Sequence, residues 1–260
     1  MKITIIGAGH MGSALAKSLA KNHDVRIYNR HPEKALKLEQ QGHGKACVNL
    51  QESIADSDIV FLAVKPQALD EVGQLLNFAI PNDVILISLL AGTPIAKLMQ
   101  HFYHNTVLRM MPNLAISVGC GLIGMASNDN LSEKTKENIS LLLEPLGTTK
   151  WIEEVKMDAF TALASSGPAF IFAIVESVIE AGIGMGFNAK DSQEIVYQMM
   201  LGSLKLLEET QLEPGELKRQ IASPKGTTIA GLQKFEEHAI RGNLINTFFA
   251  AYERSKEMNK

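Results

Sequence analysis

The strongest constraint on this chain lies at its start. The apolar run Ile3-Thr4-Ile5-Ile6 breaks into Gly7-Ala8-Gly9-His10-Met11-Gly12, and Ser13 to Leu19 follows with apolar residues at helical spacing. That order predicts strand, glycine loop and helix. In such a unit the first glycine permits the tight turn, the second lets backbone approach a pyrophosphate, and the third lets helix pack on strand. The unpaired amides at the helix N-terminus then face the anion. Gly7, Ala8, Gly9, His10, Met11 and Gly12 are therefore the candidate pyrophosphate site of a nicotinamide dinucleotide. A glycine-rich turn in some other α/β protein would share the bare spacing. The context separates the two, because a second apolar strand, Asp24 to Tyr28, ends about twenty residues on, where dinucleotide folds place the residue that reads the ribose.

The residues just past that second strand bear on the cofactor. A site for NADH would place Asp or Glu there to accept from the ribose 2′-hydroxyl, but the chain has Asn29-Arg30-His31 and no carboxylate before Glu33. The expectation is a pocket for the 2′-phosphate of NADPH, with NADH as the secondary donor. The competing reading makes Arg30 a solvated surface cation.

Of the 260 residues 46% are hydrophobic and 20% charged, and the formal net charge is −3, so neither nucleic acid nor an anionic membrane is expected as a main partner. The first strand begins almost at Met1, and no uninterrupted apolar run approaches the ~18 residues of a membrane span. The expectation is a cytoplasmic protein with no membrane partner. Cys47 and Cys120 lack metal-ligand spacing and read as buried thiols; no metal site is expected.

From Met1 to about Lys150 short apolar strands alternate with helical segments, which predicts a mainly parallel sheet covered on both faces. A helix is expected from Pro32, with Ala35, Leu36 and Leu38 as its apolar residues, and a minor strand at Cys47-Val48. Further strands are expected at Ile59 to Val64, Val84 to Ser88 and Thr106 to Met110, with edge strands at Gly121 to Met125 and Thr148 to Ile152. Ligands in open α/β sheets bind outside the carboxyl ends of the strands. Three of those ends carry conspicuous residues: Lys65-Pro66, Ala91-Gly92, and Asn113 after Met111-Pro112. Ordinary turn chemistry accounts for the same residue types, but their shared edge favours a nicotinamide-side wall.

Past Trp151 strand signals cease, and helical periodicity takes over at Met157 to Ile183, Ala189 to Leu207 and Ile229 to Ala251. The domain boundary is placed between residues 153 and 154, giving a cofactor domain over 1–153 and a helical domain over 154–260. Phe170 to Val175 is apolar nearly all the way round, and a helix of that kind needs cover on every side. A dimer built from these helices supplies it.

Two stretches in the helical half look chemical. Ser165-Ser166-Gly167-Pro168-Ala169 sits inside a helical pattern where glycine and proline together break or kink a helix. Ala222-Ser223-Pro224-Lys225-Gly226-Thr227-Thr228 leads into a helix, and its amides, hydroxyls and positive dipole end form an anion nest suited to a small carboxylate. An ordinary helix entrance with proline near its first turn fits the same residues.

Taken together, the glycine loop, Ala63-Val64-Lys65-Pro66, Arg109-Met110-Met111-Pro112-Asn113, Ser166 to Phe170, and Ser223 to Ile229 with Gly231-Leu232 resemble pyrroline-5-carboxylate reductases over essentially the full length. The resemblance implies an N-terminal Rossmann NAD(P)-binding domain and a C-terminal all-helical dimerisation domain, with the active site between one subunit's cofactor domain and the helices of the dimer, and further assembly into decamers. It implies reduction of the cyclic imine 1-pyrroline-5-carboxylate to L-proline by hydride transfer from NADPH. Carried over, Gly7 to Gly12 hold the pyrophosphate and Asn29 and Arg30 the adenosine phosphate. Ala63, Val64, Lys65, Pro66, Ala91 and Gly92 hold the nicotinamide half. Ser223, Gly226 and Thr227 hold the substrate carboxylate, and Thr228 places its hydroxyl near the ring nitrogen as the catalytic residue.

The chain departs from the family pattern at three places. Lys225 stands where the first of two glycines is usual, Ser165 where a glycine is usual, and Leu114-Ala115 where Thr-Pro is usual. If position 225 needs a positive φ, lysine there is strained. These departures keep two alternatives open: a reductase of a different imine or keto acid on the same plan, or an NADP-binding paralogue without catalysis whose substrate loop has drifted. Hydroxyacid dehydrogenases of this plan use a lysine in the helical domain, and Ala162 to Val175 contains none.

Overall fold

The computed structural model describes residues 1–76, 79–127 and 131–258. They form two compact units, Met1–Ser166 with Ala251–Lys260, and Gly167–Ala250. Residues 259 and 260, the end of the expected helical domain, lie outside the described residues.

The first unit is an eight-stranded sheet of β1 (Lys2–Ile6), β2 (Asp24–Tyr28), β3 (Lys45–Cys47), β4 (Ile59–Leu62), β5 (Ile85–Ser88), β6 (Thr106–Met111), β7 (Gly121–Ser127) and β8 (Gly147–Trp151), in the order β3-β2-β1-β4-β5-β6-β7-β8. Every neighbouring pair is parallel except β6 with β7. Because side chains alternate along a strand, Ile59 and Phe61 enter one core and Val60 and Leu62 the other. Around the sheet lie α1 (His10–Leu19), α2 (Pro32–Gln40), α3 (Leu50–Ile54), α4 (Leu69–Leu76), α5 (Ile95–Leu98), α6 (Glu133–Leu143) and α7 (Met157–Phe160). In α2, Ala35 and Leu38 are buried, whereas Leu36 points outward.

The structure corrects several expectations. The stretch read as an edge strand from Gly121 is β7, with β6 on one side and β8 on the other. Its glycines mark close approaches: a Cβ on Gly121 would overlap the Ile116 side chain, and one on Gly124 would come within 2.8 Å of the Phe160 ring. Cys47 is half-buried and Cys120 exposed, so neither is the fully buried thiol expected; both are free. Burial pushes the Cys47 thiol pKa up. By length and composition alone the helical stretch Glu154–Gly184 is long and apolar enough to cross a membrane; in the sequence Thr161, Ser165, Ser166, Gly167 and Pro168 interrupt its apolar run.

The second unit is helical, with α8 (Gly167–Gly184), α9 (Ala189–Thr210), α10 (Pro214–Ile221), α11 (Thr227–Glu237) and α12 (Ile240–Met258), whose last residues belong to the first unit. Gly167-Pro168 opens a helix instead of kinking one. A wider turn, Thr161–Ser165, closes through the Ser166 amide to the Thr161 carbonyl (2.9 Å), and Pro168 then sits in the first turn of α8, where its missing N–H costs nothing. α8 and α9 pack closely at Gly182, where a Cβ would overlap the Ser192 hydroxyl, and that hydroxyl donates to the Ile179 carbonyl (2.8 Å). Phe170 meets Phe248 edge-on at 5.1 Å between centroids. Large apolar side chains nonetheless stay exposed on both helices, among them Phe172, Ile195, Leu201 and Leu204.

The helix expected over Ile229 to Ala251 is two helices, broken at Ala239 with φ 50°. The turn before α11 runs from the Ser223 carbonyl to the Gly226 amide (3.0 Å), with Pro224 second and Lys225 third at φ 61°. Third place in a type II turn needs a positive φ, which favours glycine, so the lysine is held left-handed. The conformation costs ~1–2 kcal/mol for a residue with a Cβ, and glycine's extra chain freedom would return ~0.5–1 kcal/mol of that. Lys225→Gly is therefore expected to raise the urea unfolding midpoint, by up to ~1 kcal/mol in stability. An unchanged or lower midpoint would show that the turn stores no strain.

Candidate active site

Parallel pairing brings the carboxyl ends of β2, β1, β4, β5 and β6 to one edge. Ile6 is level with Tyr28 and Leu62, Leu62 with Ser88, and Ser88 with Arg109. The strand order reverses direction between β1 and β4, which opens a crevice at their ends.

The glycine loop crosses that crevice. Gly7 has φ 110°, donates to the Tyr28 carbonyl (2.8 Å), and lies so near the end of β4 that a Cβ would sit 2.5 Å from the Ala63 carbonyl oxygen. Gly12 is buried in α1, and a Cβ there would overlap the Gly7 carbonyl oxygen. Gly9 is the N-cap of α1, has no side-chain cap, and faces open space. One glycine makes the turn, one seats the helix, and one leaves room beside the first-turn amides of His10 and Met11. That is an anion site built from backbone.

Asn29 locks this loop to the end of β2. Its Oδ1 accepts from the Ala8 amide (2.9 Å) and its Nδ2 donates to the His31 carbonyl (2.8 Å), so both ends of the side chain are engaged within the protein. Arg30 is exposed and pairs with Glu71 of α4 (3.3 Å). A cavity of about 370 Å³ lies here, lined by Gly7, Gly9, Asn29, Arg30, Ala63, Val64 and Lys65 among the expected residues, together with His31, Lys34, Gln67, Glu71 and Leu75. Its basic side chains suit a phosphate and its apolar wall suits an adenine ring. Gly9, with Ala8 and His10, also borders a second groove of about 950 Å³, which shares Lys34 and Lys65 and runs along Lys17 and Lys21 toward Leu114 and Ser117. Lys65 caps the short turn Pro66–Ala68, which Pro66 opens.

Ala91 and Gly92 stand beyond β5 but line neither cavity. Gly92, at φ 61°, abuts the end of α12, and a Cβ there would meet Met258 Cβ at 2.7 Å and its carbonyl oxygen at 2.9 Å. Nearby, Arg109 of β6 is buried and pairs with Glu154 (3.4 Å), whose Oε1 also accepts from the Ile95 amide (2.7 Å). Burial draws the Arg109 pKa below its ordinary value, and the carboxylates of Glu154 and Asp158 oppose that. Asn113 accepts from the Leu122 amide (3.2 Å), and Ser165 donates to the Pro112 carbonyl (2.9 Å).

Ser223, Gly226, Thr227 and Thr228 lie in the second unit, at the entrance of α11. Gly226 is the N-cap, at φ −79° and ψ 167°, and no side chain caps the first turn. A Cβ on Gly226 would overlap the Ser223 hydroxyl. The first-turn amides of Thr227 and Thr228 and the hydroxyls of Ser223, Thr227 and Thr228 make a compact set of donors for a carboxylate. Among the described residues no three His, Cys, Asp or Glu side chains group as metal ligands.

Sequence reasoning missed Gln67, Glu71 and Leu75 as pocket walls. Gln67 directly follows the expected Lys65-Pro66 in the turn Pro66–Ala68, while for Glu71 and Leu75 the only signal was the position of α4 shortly after that strand end, and which face of α4 turns inward depends on how the helix docks.

Two families match the chain: one described as pyrroline-5-carboxylate reductase dimerisation, over residues 154–258, and one described as NADP oxidoreductase coenzyme F420-dependent, over residues 2–92. A pyrroline-5-carboxylate reductase of Aquifex aeolicus is 35% identical over 99% of this chain and 97% of that protein, and one of Methanosarcina acetivorans is 36% identical over 100% and 98%. Among solved structures, the Streptococcus pyogenes 1-pyrroline-5-carboxylate reductase superposes with a TM-score of 0.91 at 30% identity, covering 99% of this chain and 98% of that one. The Plasmodium falciparum pyrroline carboxylate reductase, solved with NADP bound, superposes with a TM-score of 0.89 at 29% identity, covering 100% and 98%. With these likenesses spanning both units, the chain belongs to the pyrroline-5-carboxylate reductase family.

Proposed function

We propose that this protein reduces 1-pyrroline-5-carboxylate to L-proline with NADPH as donor. The observation that carries the reading is full-length likeness, above 30% identity, to pyrroline-5-carboxylate reductases. A solved neighbour with NADP bound and the basic cavity around Arg30 support the choice of cofactor.

When bound, the cofactor supplies a hydride from the nicotinamide C4 to the imine carbon, and the ring nitrogen carries the proton that makes the product a secondary amine. The loop Gly7 to Gly12 grips the pyrophosphate through the amides beside Gly9, while Asn29 holds the loop in shape and Arg30 pairs with the 2′-phosphate. Ala63 to Pro66, with Ala91 and Gly92, form the wall on the nicotinamide side. Ser223, Gly226 and Thr227 bind the substrate carboxylate, and the Thr228 hydroxyl bonds to the ring nitrogen. A protonated cyclic imine is already a good hydride acceptor, so no strong general acid is required. Alignment and exclusion of water carry the catalysis, and such positioning contributes ~7–11 kcal/mol.

The reading extends to organisation. Residues 1–153 form the cofactor domain and 154–260 the helical one, and exposed apolar faces on α8 and α9 support a homodimer. Assembly of dimers into decamers, a cytoplasmic location, and the absence of nucleic-acid and membrane partners complete the proposal.

The experiment is NADPH oxidation followed by absorbance, with pyrroline-5-carboxylate, a keto acid, or no acceptor added. Turnover with the imine alone is expected, and none with any acceptor would return the chain to the non-catalytic reading. Arg30→Asp is expected to raise KM for NADPH about tenfold or more, in line with a charge-assisted bond worth ~1.5–3 kcal/mol. KM for NADH should move much less, and equal effects on both would remove Arg30 from the pocket. Thr228→Ala should lower kcat about tenfold, the scale of one lost hydrogen bond to a charged group, while NADPH binding stays nearly intact. An undiminished kcat would take Thr228 out of the chemistry.

A further inference from the structure

Among the described residues lining the 370 Å³ cavity, the one carboxylate is Glu71, and it lies against the cation expected to meet the 2′-phosphate, Arg30, at 3.3 Å. Both side chains are largely exposed, at 71% for Arg30 and 55% for Glu71. An ion pair so exposed contributes little to folding, so stability does not account for an acid in this place. Its position does have a consequence for ligands. A 2′-phosphate that reaches Arg30 must share its guanidinium with the Glu71 carboxylate or displace it, and in either case lies beside a like charge. A 2′-hydroxyl meets the opposite situation: it can donate to Glu71. The acceptor that NADH-binding folds carry at the end of β2 is missing from Asn29-Arg30-His31, and α4 brings one into the cavity from the facing wall.

We infer that Glu71 is a specificity-determining residue of the adenosine pocket, competing with the 2′-phosphate of NADPH for Arg30 and accepting from the ribose 2′-hydroxyl of NADH. The inference rests on the reading of Arg30 as the phosphate partner. Glu71 thereby narrows the preference for NADPH, and the chain uses both donors.

The test is steady-state kinetics of the full-length enzyme with NADPH and with NADH at saturating pyrroline-5-carboxylate, comparing wild type, Glu71→Gln and Arg30→Gln. Glu71→Gln is expected to raise kcat/KM for NADPH about fivefold, the scale of a screened charge pair near 1 kcal/mol, and to lower it for NADH by a similar factor, through KM in both cases. The gain with NADPH should shrink as salt is added, because screening removes the repulsion; a merely structural role would not respond to salt in this way. Glu71→Asp should restore part of the wild-type ratio. If Glu71→Gln leaves the NADPH-to-NADH ratio within about twofold while Arg30→Gln lowers NADPH use, the inference is overturned and the cofactor reading stands. If Arg30→Gln leaves NADPH use unchanged, the reading of the pocket fails, and this inference with it.

Discussion

The cofactor half of this protein depends on a steric fact, the absence of two Cβ atoms. Gly12 brings α1 down onto the Gly7 carbonyl, and Gly7 brings the loop down onto the end of β4. A methyl group at either place would overlap backbone, which cannot give way as a flexible side chain can. Because both approaches are that close, the N-terminus of α1 opens directly over the crevice between β1 and β4, where its unpaired amides face a ligand. Asn29 extends the same scaffold sideways. By bonding to Ala8 and to the backbone of His31 it ties the glycine loop to the segment that carries Arg30.

The helical half obeys a different constraint. Its helices leave Phe172, Ile195, Leu201 and Leu204 half-exposed, and each such side chain forgoes about half of the ~1.5–3 kcal/mol that full burial would supply. A second copy of the same surface is a self-complementary way to recover it, in keeping with the dimerisation family that this region matches. The helix junctions add local strain. Gln211, Lys225 and Ala239, one at each junction from α9 to α12, all have positive φ without being glycine.

Those junctions also show where the sequence stops being legible. Strands β1, β4, β5 and β6 could be read because each is an almost unbroken apolar run covered on both faces, β2 because its buried Val25 and Ile27 alternate with Asp24, Arg26 and Tyr28, and the glycine loop because its spacing is dictated by contact. The break at Ala239 carries no glycine or proline and lies inside an apolar period, so nothing local distinguishes it from continuing helix. β7 read as an edge because its glycines weaken the strand pattern, whereas they are there to admit Ile116 and Phe160 from neighbouring elements. Arg30 was legible as a departure from an expected carboxylate. Glu71 was not, since its approach to Arg30 depends on how α4 docks on the sheet.

The loop that carries Ala91 and Gly92 is held in yet another way. Arg109, buried in β6, requires a nearby anion, and Glu154 supplies it while also accepting from the Ile95 amide at the start of α5. Asp158, a short way along the chain, accepts from the Ser255 hydroxyl (2.8 Å) near the end of α12, and that helix end closes over Gly92. The loop after β5 is thus framed by charge and hydrogen bonds on one side and by a helix end on the other, while Leu90 anchors it in the core. The Arg109–Glu154 pair therefore does more than balance a buried charge: through the Ile95 amide it ties β6 to the start of α5, where that loop ends.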